Sequence, residues 1–288
     1  MRSISQDLIN LIDNNRVIDG RFVIRDPRLV FTKRSVYETI AADKYNVDCC
    51  PDGTGIIRVA KKTSDNTLQY MWLDDPMSEE WDPWAQVGSV VCHADSGVGI
   101  EGSRCWYLGS DEKIYYVDWN SGTETWGTPV EVLDASSWNS TKISFAPVDT
   151  SDCYVLVGPQ SSPLIHSEIK RISSGGSVET SFHGLVYGDP TQQYRFDALR
   201  FTDRDHVYVV DRDDGRALYT AVSGSVWSDL RQVVPLDIID DTANFKLGGV
   251  AKINDQAWVT GRYKRGTGIE FDMYSIGPDH YTMGRHMV

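Results

Sequence analysis

Long apolar runs, basic clusters, paired-cysteine spacings and catalytic signatures are all missing from this 288-residue chain. The longest apolar runs, such as Tyr154–Val157 and Val207–Val210, are of strand length, far short of the roughly 18 residues that a membrane helix needs. No membrane insertion is expected. The first residues lack the order of basic, apolar and then small residues that marks a secretory signal, so no export address is expected. Lys and Arg are scattered, and the formal net charge is −13. A phosphate-binding surface needs clustered cations, which argues against nucleic acid as a partner. The local excess is acidic instead, at Glu79–Glu80, Asp213–Asp214 and Asp240–Asp241, and reads as a solvated surface.

Five cysteines stand at 49, 50, 92, 105 and 153 with no C-x-x-C spacing. The odd count and the vicinal pair speak against a disulfide framework or a zinc site. Their apolar and aromatic neighbours make them small buried hydrophobes in a reducing compartment. No G-x-S-x-G, H-E-x-x-H, P-loop or strand–helix GxGxxG is present, so these residues advertise no enzyme, metal or cofactor. Asp211-Arg-Asp-Asp-Gly215 lacks the later bidentate Glu of a calcium loop and reads as a hairpin turn.

What is present is one short helical stripe followed by strands. Apolar residues at Ile4, Leu8, Ile9 and Ile12 predict a helix over Ser3–Ile12, ended by Asn14–Asn15. A helix of that length is marginal alone and needs a surface, on this chain or on a neighbouring subunit. After Gly20, alternating and aromatic-rich runs such as Ile56–Ala60, Leu68–Leu73, Ile114–Trp119 and Ala257–Thr260 are punctuated by Pro51-Asp52-Gly53, Asn120-Ser121-Gly122 and Ser223-Gly224. These turn residues tolerate positive φ or form side-chain turns. Residues 1–19 are therefore read as a docking helix and linker, and 20–288 as one β domain.

A degenerate repeat runs through the β part. Its clearest copy holds Cys105-Trp-Tyr-Leu-Gly, Lys113-Ile-Tyr-Tyr-Val-Asp and Thr125-Trp126, with looser copies before and after. The anchors Trp84, Trp126, Phe182, Trp227 and Tyr281 follow one another at 42, 56, 45 and 54 residues. Repeats of that size with three or four strands each predict a β-propeller. Five blades is the count, with six as the alternative if residues 20–50 form a ragged blade, and a β-sandwich as the competing reading of the same aromatics. A ring leaves no open sheet edge, so the strand within Gly20–Thr32 is expected to close it against Phe271–Arg285.

Candidates for chemistry are carboxylates near the starts of innermost strands. Asp48 and Asp197 fall where two such strands begin, and His93 with Asp95 where a third does. A carboxylate pair across a central pocket is the equipment of a glycoside hydrolase. That is the alternative here, and the leading expectation is a chain without enzymatic activity. For ligand binding, Trp81, Trp138 and Tyr187 lie in variable loops, where aromatic faces can stack on sugars. Asn120-Ser-Gly-Thr-Glu-Thr-Trp126 faintly resembles the sialidase Asp-box, a structural turn.

The opening Met1-Arg-Ser-Ile-Ser-Gln-Asp-Leu-Ile, the rhythm Leu68-Gln-Tyr-Met-Trp72 with Trp81-Asp-Pro-Trp84, and the closing Met273–Arg285 segment resemble a group of bacteriophage and prophage tail proteins. In these a short N-terminal helix precedes a propeller. The resemblance brings no catalytic residues. It implies a virion tail component, made in the host cytoplasm, that is part of a symmetric homo-oligomer. Ile4, Leu8, Ile9 and Ile12 would dock to other tail proteins, and the propeller would attach to neighbouring tail proteins or to a host cell-surface glycan. The chain is also read as the N-terminal part of a longer tail protein.

Overall fold

The computed structural model describes residues 17–18, 21–22, 47–52, 55–74, 82–138, 140, 142–158, 166–186, 196–210, 217–232, 246–253, 256–265, 268–276 and 283–287, with side chains for 55–74, 82–138, 140, 142–158, 167–182, 196–209, 220–230, 250 and 257. These residues are all-β. A small hairpin pairs β1 (Val17–Ile18) with β2 (Arg21–Phe22). Five antiparallel sheets follow in chain order. The first holds β3 (Val47–Asp52), β4 (Gly55–Lys61), β5 (Thr67–Leu73) and β6 (Ala85–Val91). The second holds β7 (Val98–Glu101), β8 (Arg104–Leu108) and β9 (Lys113–Asn120), with β10 (Thr125–Trp126) and β11 (Val130–Asp134) both paired to β9. The third holds β12 (Ile143–Pro147), β13 (Asp152–Val157), β14 (His166–Ser173) and β15 (Val178–Val186). The fourth holds β16 (Phe196–Arg200), β17 (Asp205–Val210) and β18 (Ala217–Ser223), with β19 (Val226–Trp227) and β20 (Arg231–Gln232) on β18. The fifth holds β21 (Lys246–Ile253), β22 (Gln256–Arg265), β23 (Gly268–Ile276) and β24 (Met283–Met287).

The period of two along each strand divides its side chains between two neighbours. In β8, Cys105 and Tyr107 join a core with Ile57, Val59 and Trp72 of the first sheet. Trp106 and Leu108, pointing the other way, join Phe145, Val155 and Ile172 of the third. In β13, Cys153, Val155 and Val157 face the second sheet while Tyr154 and Leu156 face Phe196, Val207 and Val209 of the fourth. Every residue of β13 is consequently buried. Each such side chain contributes on the order of 1.5–3 kcal/mol. Cys92, Cys105 and Cys153 are buried as expected, and burial pushes the Cys92 thiol up to about 12. Three of the aromatic anchors cap these cores from the outer strands. Trp126 packs on the core between the first two sheets, and Phe182 and Trp227 pack on that between the third and fourth, their rings 5.4 Å apart.

The first strand of each sheet lies against the first strand of the next, in the order β3, β7, β12, β16, β21. The Gly97 amide donates to the Ile143 carbonyl at 2.7 Å. A Cβ on Gly99 would come within 2.7 Å of Pro147 Cδ and 2.8 Å of the Phe145 carbonyl oxygen, so only glycine allows this approach. Charged groups stitch the far ends of these strands together. Arg200 pairs with Asp149, with Asp152 at 2.8 Å and with Asp205 at 3.0 Å. Arg171 also holds Asp152, at 2.8 Å. Tyr154 donates to Asp205 at 2.8 Å; burial first, then the Asp205 charge, pushes that hydroxyl well above its ordinary pKa and keeps it a donor.

Several expectations meet the structure differently. The helix over Ser3–Ile12, with Ile4, Leu8, Ile9 and Ile12, lies outside the described residues, and no α-helix occurs among those that are described, only a 3-10 turn at Ser136–Trp138. The closing strand is not found where it can be checked. Arg21–Phe22 pair with Val17–Ile18, and the fifth sheet takes its fourth strand from Met283–Met287. Strand-like residues near Gly20 thus satisfy their hydrogen bonds locally. Tyr281 and the turn at Asp211–Gly215 lie outside the described residues.

Replacing Gly99 with Val should destabilise the chain by about 1–3 kcal/mol, as overpacking of a tight contact does; a chemical-denaturation midpoint equal to wild type would refute the close approach. Arg200→Met should cost about 1–3 kcal/mol by taking their shared cation from two buried carboxylates, Asp152 and Asp205. Burial raises the pKa of Asp152, but Arg171 and Arg200 outweigh it, leaving the carboxyl below its ordinary 3.8. Its stabilisation is therefore fully present above that value and fades as the pH falls below it. Denaturation measured at pH 7 and pH 3 should show a smaller acid loss for Arg200→Met than for wild type.

Candidate functional site

Four of the residues that sequence reading singled out, Asp48, Asp197, His93 and Asp95, stand at or just before the first strands of three sheets. Asp48 is the second residue of β3, opposite Val59; its side chain lies outside the described residues. Asp197 is the second residue of β16, opposite Tyr208. The two thus hold the same register on the innermost strands of the first and fourth sheets. Asp197 is half-buried, its Oδ1 accepting from the Ala198 amide at 3.0 Å and its Oδ2 from the Val250 amide at 3.3 Å. That second bond crosses to β21, so the carboxylate also ties the fourth sheet to the fifth. A carboxylate fed by backbone N–H groups is fixed in direction, as a site that must position a hydroxyl-bearing ligand requires.

His93 and Asp95 sit on the loop from β6 to β7, the loop that delivers the second innermost strand. The Asp95 amide donates to His93 Nδ1 at 3.2 Å, and the His93 amide donates to the Leu108 carbonyl at 2.8 Å. The loop is clamped from below by Lys61, at the end of β4 and only 1% exposed. Its ammonium donates to the carbonyls of His93 at 3.0 Å, Ala94 at 2.6 Å and Ser96 at 2.5 Å. Three carbonyls engage the N–H donors of the ammonium, as burial of a charged group requires. His93 and Asp95 are therefore held together on a rigid loop, while Asp197 is engaged with the fifth sheet.

Lys61 was invisible to sequence reading. A lysine ending a strand reads as solvent-facing, and its partners lie more than thirty positions away. Of the aromatics, Trp138 ends the 3-10 turn, packs against the core between the second and third sheets, and has the Lys170 ammonium 5.3 Å from its ring centre. Trp81 and Tyr187 lie outside the described residues. Among the described residues no three His, Cys, Asp or Glu side chains gather as a metal-ligand set.

No protein-family model matches the chain, and no characterised protein sequence does. Solved structures do match. A SapL1 lectin in complex with alpha methyl fucoside is 13% identical, with 94% of this chain and 87% of that one covered at a TM-score of 0.50. A phage phi92 endosialidase is 9% identical, with 86% of this chain and 58% of that one covered at a TM-score of 0.51. A GH43_1 enzyme from Xanthomonas citri is 10% identical, covering 90% and 96% at a TM-score of 0.43. At these identities the likeness is one of fold. It nevertheless corrects one expectation: that the chain has no enzymatic activity does not stand, because an enzyme, the endosialidase, is among the chains that share its fold. The missing motifs were poor grounds for that expectation, since glycosidic chemistry needs only two carboxylates, which can come from strands far apart in sequence and leave no local signature.

Proposed function

We propose that the five sheets are the blades of a single β-propeller and that the chain is a carbohydrate-directed protein, taking glycan at the end where its innermost strands begin. The observation that carries this reading is Asp197: a half-buried carboxylate, oriented by two backbone amides, on an innermost strand. Similarity in fold to a lectin holding a methyl fucoside and to an endosialidase supports it. In this reading Asp197 accepts ligand hydroxyls, Asp48 answers it from the first blade, and the Lys61-clamped loop brings His93 and Asp95 to the rim. Hydrolysis is the second reading, favoured by the matched register of Asp48 and Asp197: one would act as acid and the other as base or nucleophile.

A glycan array tests the binding reading. Wild type should give discrete hits, and Asp197→Asn should weaken them at least tenfold. A blank array, or hits indifferent to Asp197→Asn, would overturn the assignment of the mouth. Sugar release from the hit glycans, lost in both Asp48→Asn and Asp197→Asn, would identify a hydrolase.

We further assign the protein to the tail of a phage or prophage particle. Support comes from the Met1-Arg-Ser-Ile-Ser opening and from the similarity to a phage endosialidase. Electron micrographs of particles labelled with antibody to this chain should show density at the tail tip; label confined to soluble lysate would remove the assignment.

A further inference from the structure

Away from the starts of the innermost strands, beyond the far end of β7, lies a shallow groove of about 470 Å³ lined by Ser103, Asp118, Trp119, Asn120 and Thr125 among others. Two turns build it. The β7–β8 turn places Gly102 and Ser103 at φ of 53° and 68°, the pair of positive values that a type I′ hairpin needs. The Ser103 carbonyl then accepts from the Trp119 amide at 2.8 Å. The β9–β10 turn is held by Asn120, whose Oδ1 accepts from Gly122 N at 2.9 Å and Thr123 N at 3.2 Å. This turn keeps Glu124 at φ 54°. Two non-glycine residues in the left-handed region thus frame one groove, and strain of that kind concentrates at functional sites.

The polar groups left over define a ligand. Asn120 spends its acceptor on the turn, which leaves its Nδ2 donors. Asp118 takes Arg104 on both oxygens, at 2.6 and 2.8 Å, and a carboxylate with two such bonds still has lone pairs for hydroxyl donors. Thr125 Oγ1 shares a hydrogen bond with Thr123 Oγ1 at 2.8 Å, and Ser103 adds a further hydroxyl. The Trp119 ring, 4% exposed, is packed in the core between the first two sheets, so the groove offers polar groups and no aromatic face. No Lys or Arg lines the groove. The neighbouring Arg104 is committed to Asp118, to the Thr150 carbonyl and to the face of Tyr116, 3.7 Å away. Among the described residues, a ligand here meets hydrogen-bond donors and acceptors but no available cation.

We propose that this groove is a second saccharide subsite, separate from the mouth, that accepts a neutral hydroxyl-rich sugar unit and not an anionic one. It rests on the carbohydrate reading above and adds to it a place and a charge preference. Isothermal titration of the full chain with methyl α-fucoside, methyl β-galactoside and methyl α-glucoside, against N-acetylneuraminic acid, tests it. At least one neutral glycoside should bind, with no measurable heat from the acid. Asn120→Asp keeps the turn acceptor and replaces the donors with charge, and should weaken binding tenfold or more. Thr125→Val and Ser103→Gly, the latter well suited to the left-handed turn, should each weaken it several-fold. If Asn120→Asp fails to fold, as its thermal midpoint would reveal, Thr125→Val and Ser103→Gly decide the matter alone. Wild-type affinity in the folded variants, a preference for the acid, or no neutral glycoside bound would overturn the groove. Array hits that respond to Asp197→Asn but not to Asn120→Asp would leave the mouth standing without it, whereas a blank array would remove both.

Discussion

Two apolar faces on one sheet, as the second and third sheets carry, are the constraint from which the rest follows. A strand such as β8 sends Cys105 and Tyr107 one way and Trp106 and Leu108 the other, and both pairs are buried. A sheet of this kind has no side to give to water, so it must be flanked on both sides by others like itself. With five sheets in chain order, the first strands are drawn together and the polar turns are left at the two ends. Apolar contact fills the space between the first four sheets, and the two candidate sites lie at strand ends and turns.

Apolar contact is poor at fixing how one sheet is turned relative to the next, since burial is almost indifferent to direction. Directional groups supply that angle. Arg200 reaches three carboxylates on two sheets, and Asp197 reaches an amide on a third. Lys61 fixes the entry to β7 through three carbonyls at once. Such buried charges add little net stability over apolar replacements but are costly to leave half-paired, which makes any other arrangement of the sheets unfavourable.

What could be read from the sequence was what is local. The period of two, the turn residues and the recurring aromatics were legible, and Trp126, Phe182 and Trp227 do cap cores between sheets. The positions of Asp48 and Asp197 near strand starts were legible for the same reason. Partners distant in sequence were not. Nothing near Asp197 points to Val250, 53 residues on, and nothing near Arg200 points to Asp149, 51 residues back. Of the expected closing strand, only Arg21–Phe22 are described, and they pair with Val17–Ile18, since a short hairpin and a strand of a larger sheet share one local pattern. The groove was missed because each of its two turns alone reads as ordinary turn chemistry.

Full burial of β13 has a last consequence. Were the third sheet to peel away, the second and fourth would each be left with a wet, greasy wall, so partial melting is penalised twice over. Loss of order in one sheet should spread to its neighbours, and the chain should behave as one cooperative unit in which length can change only at the turns.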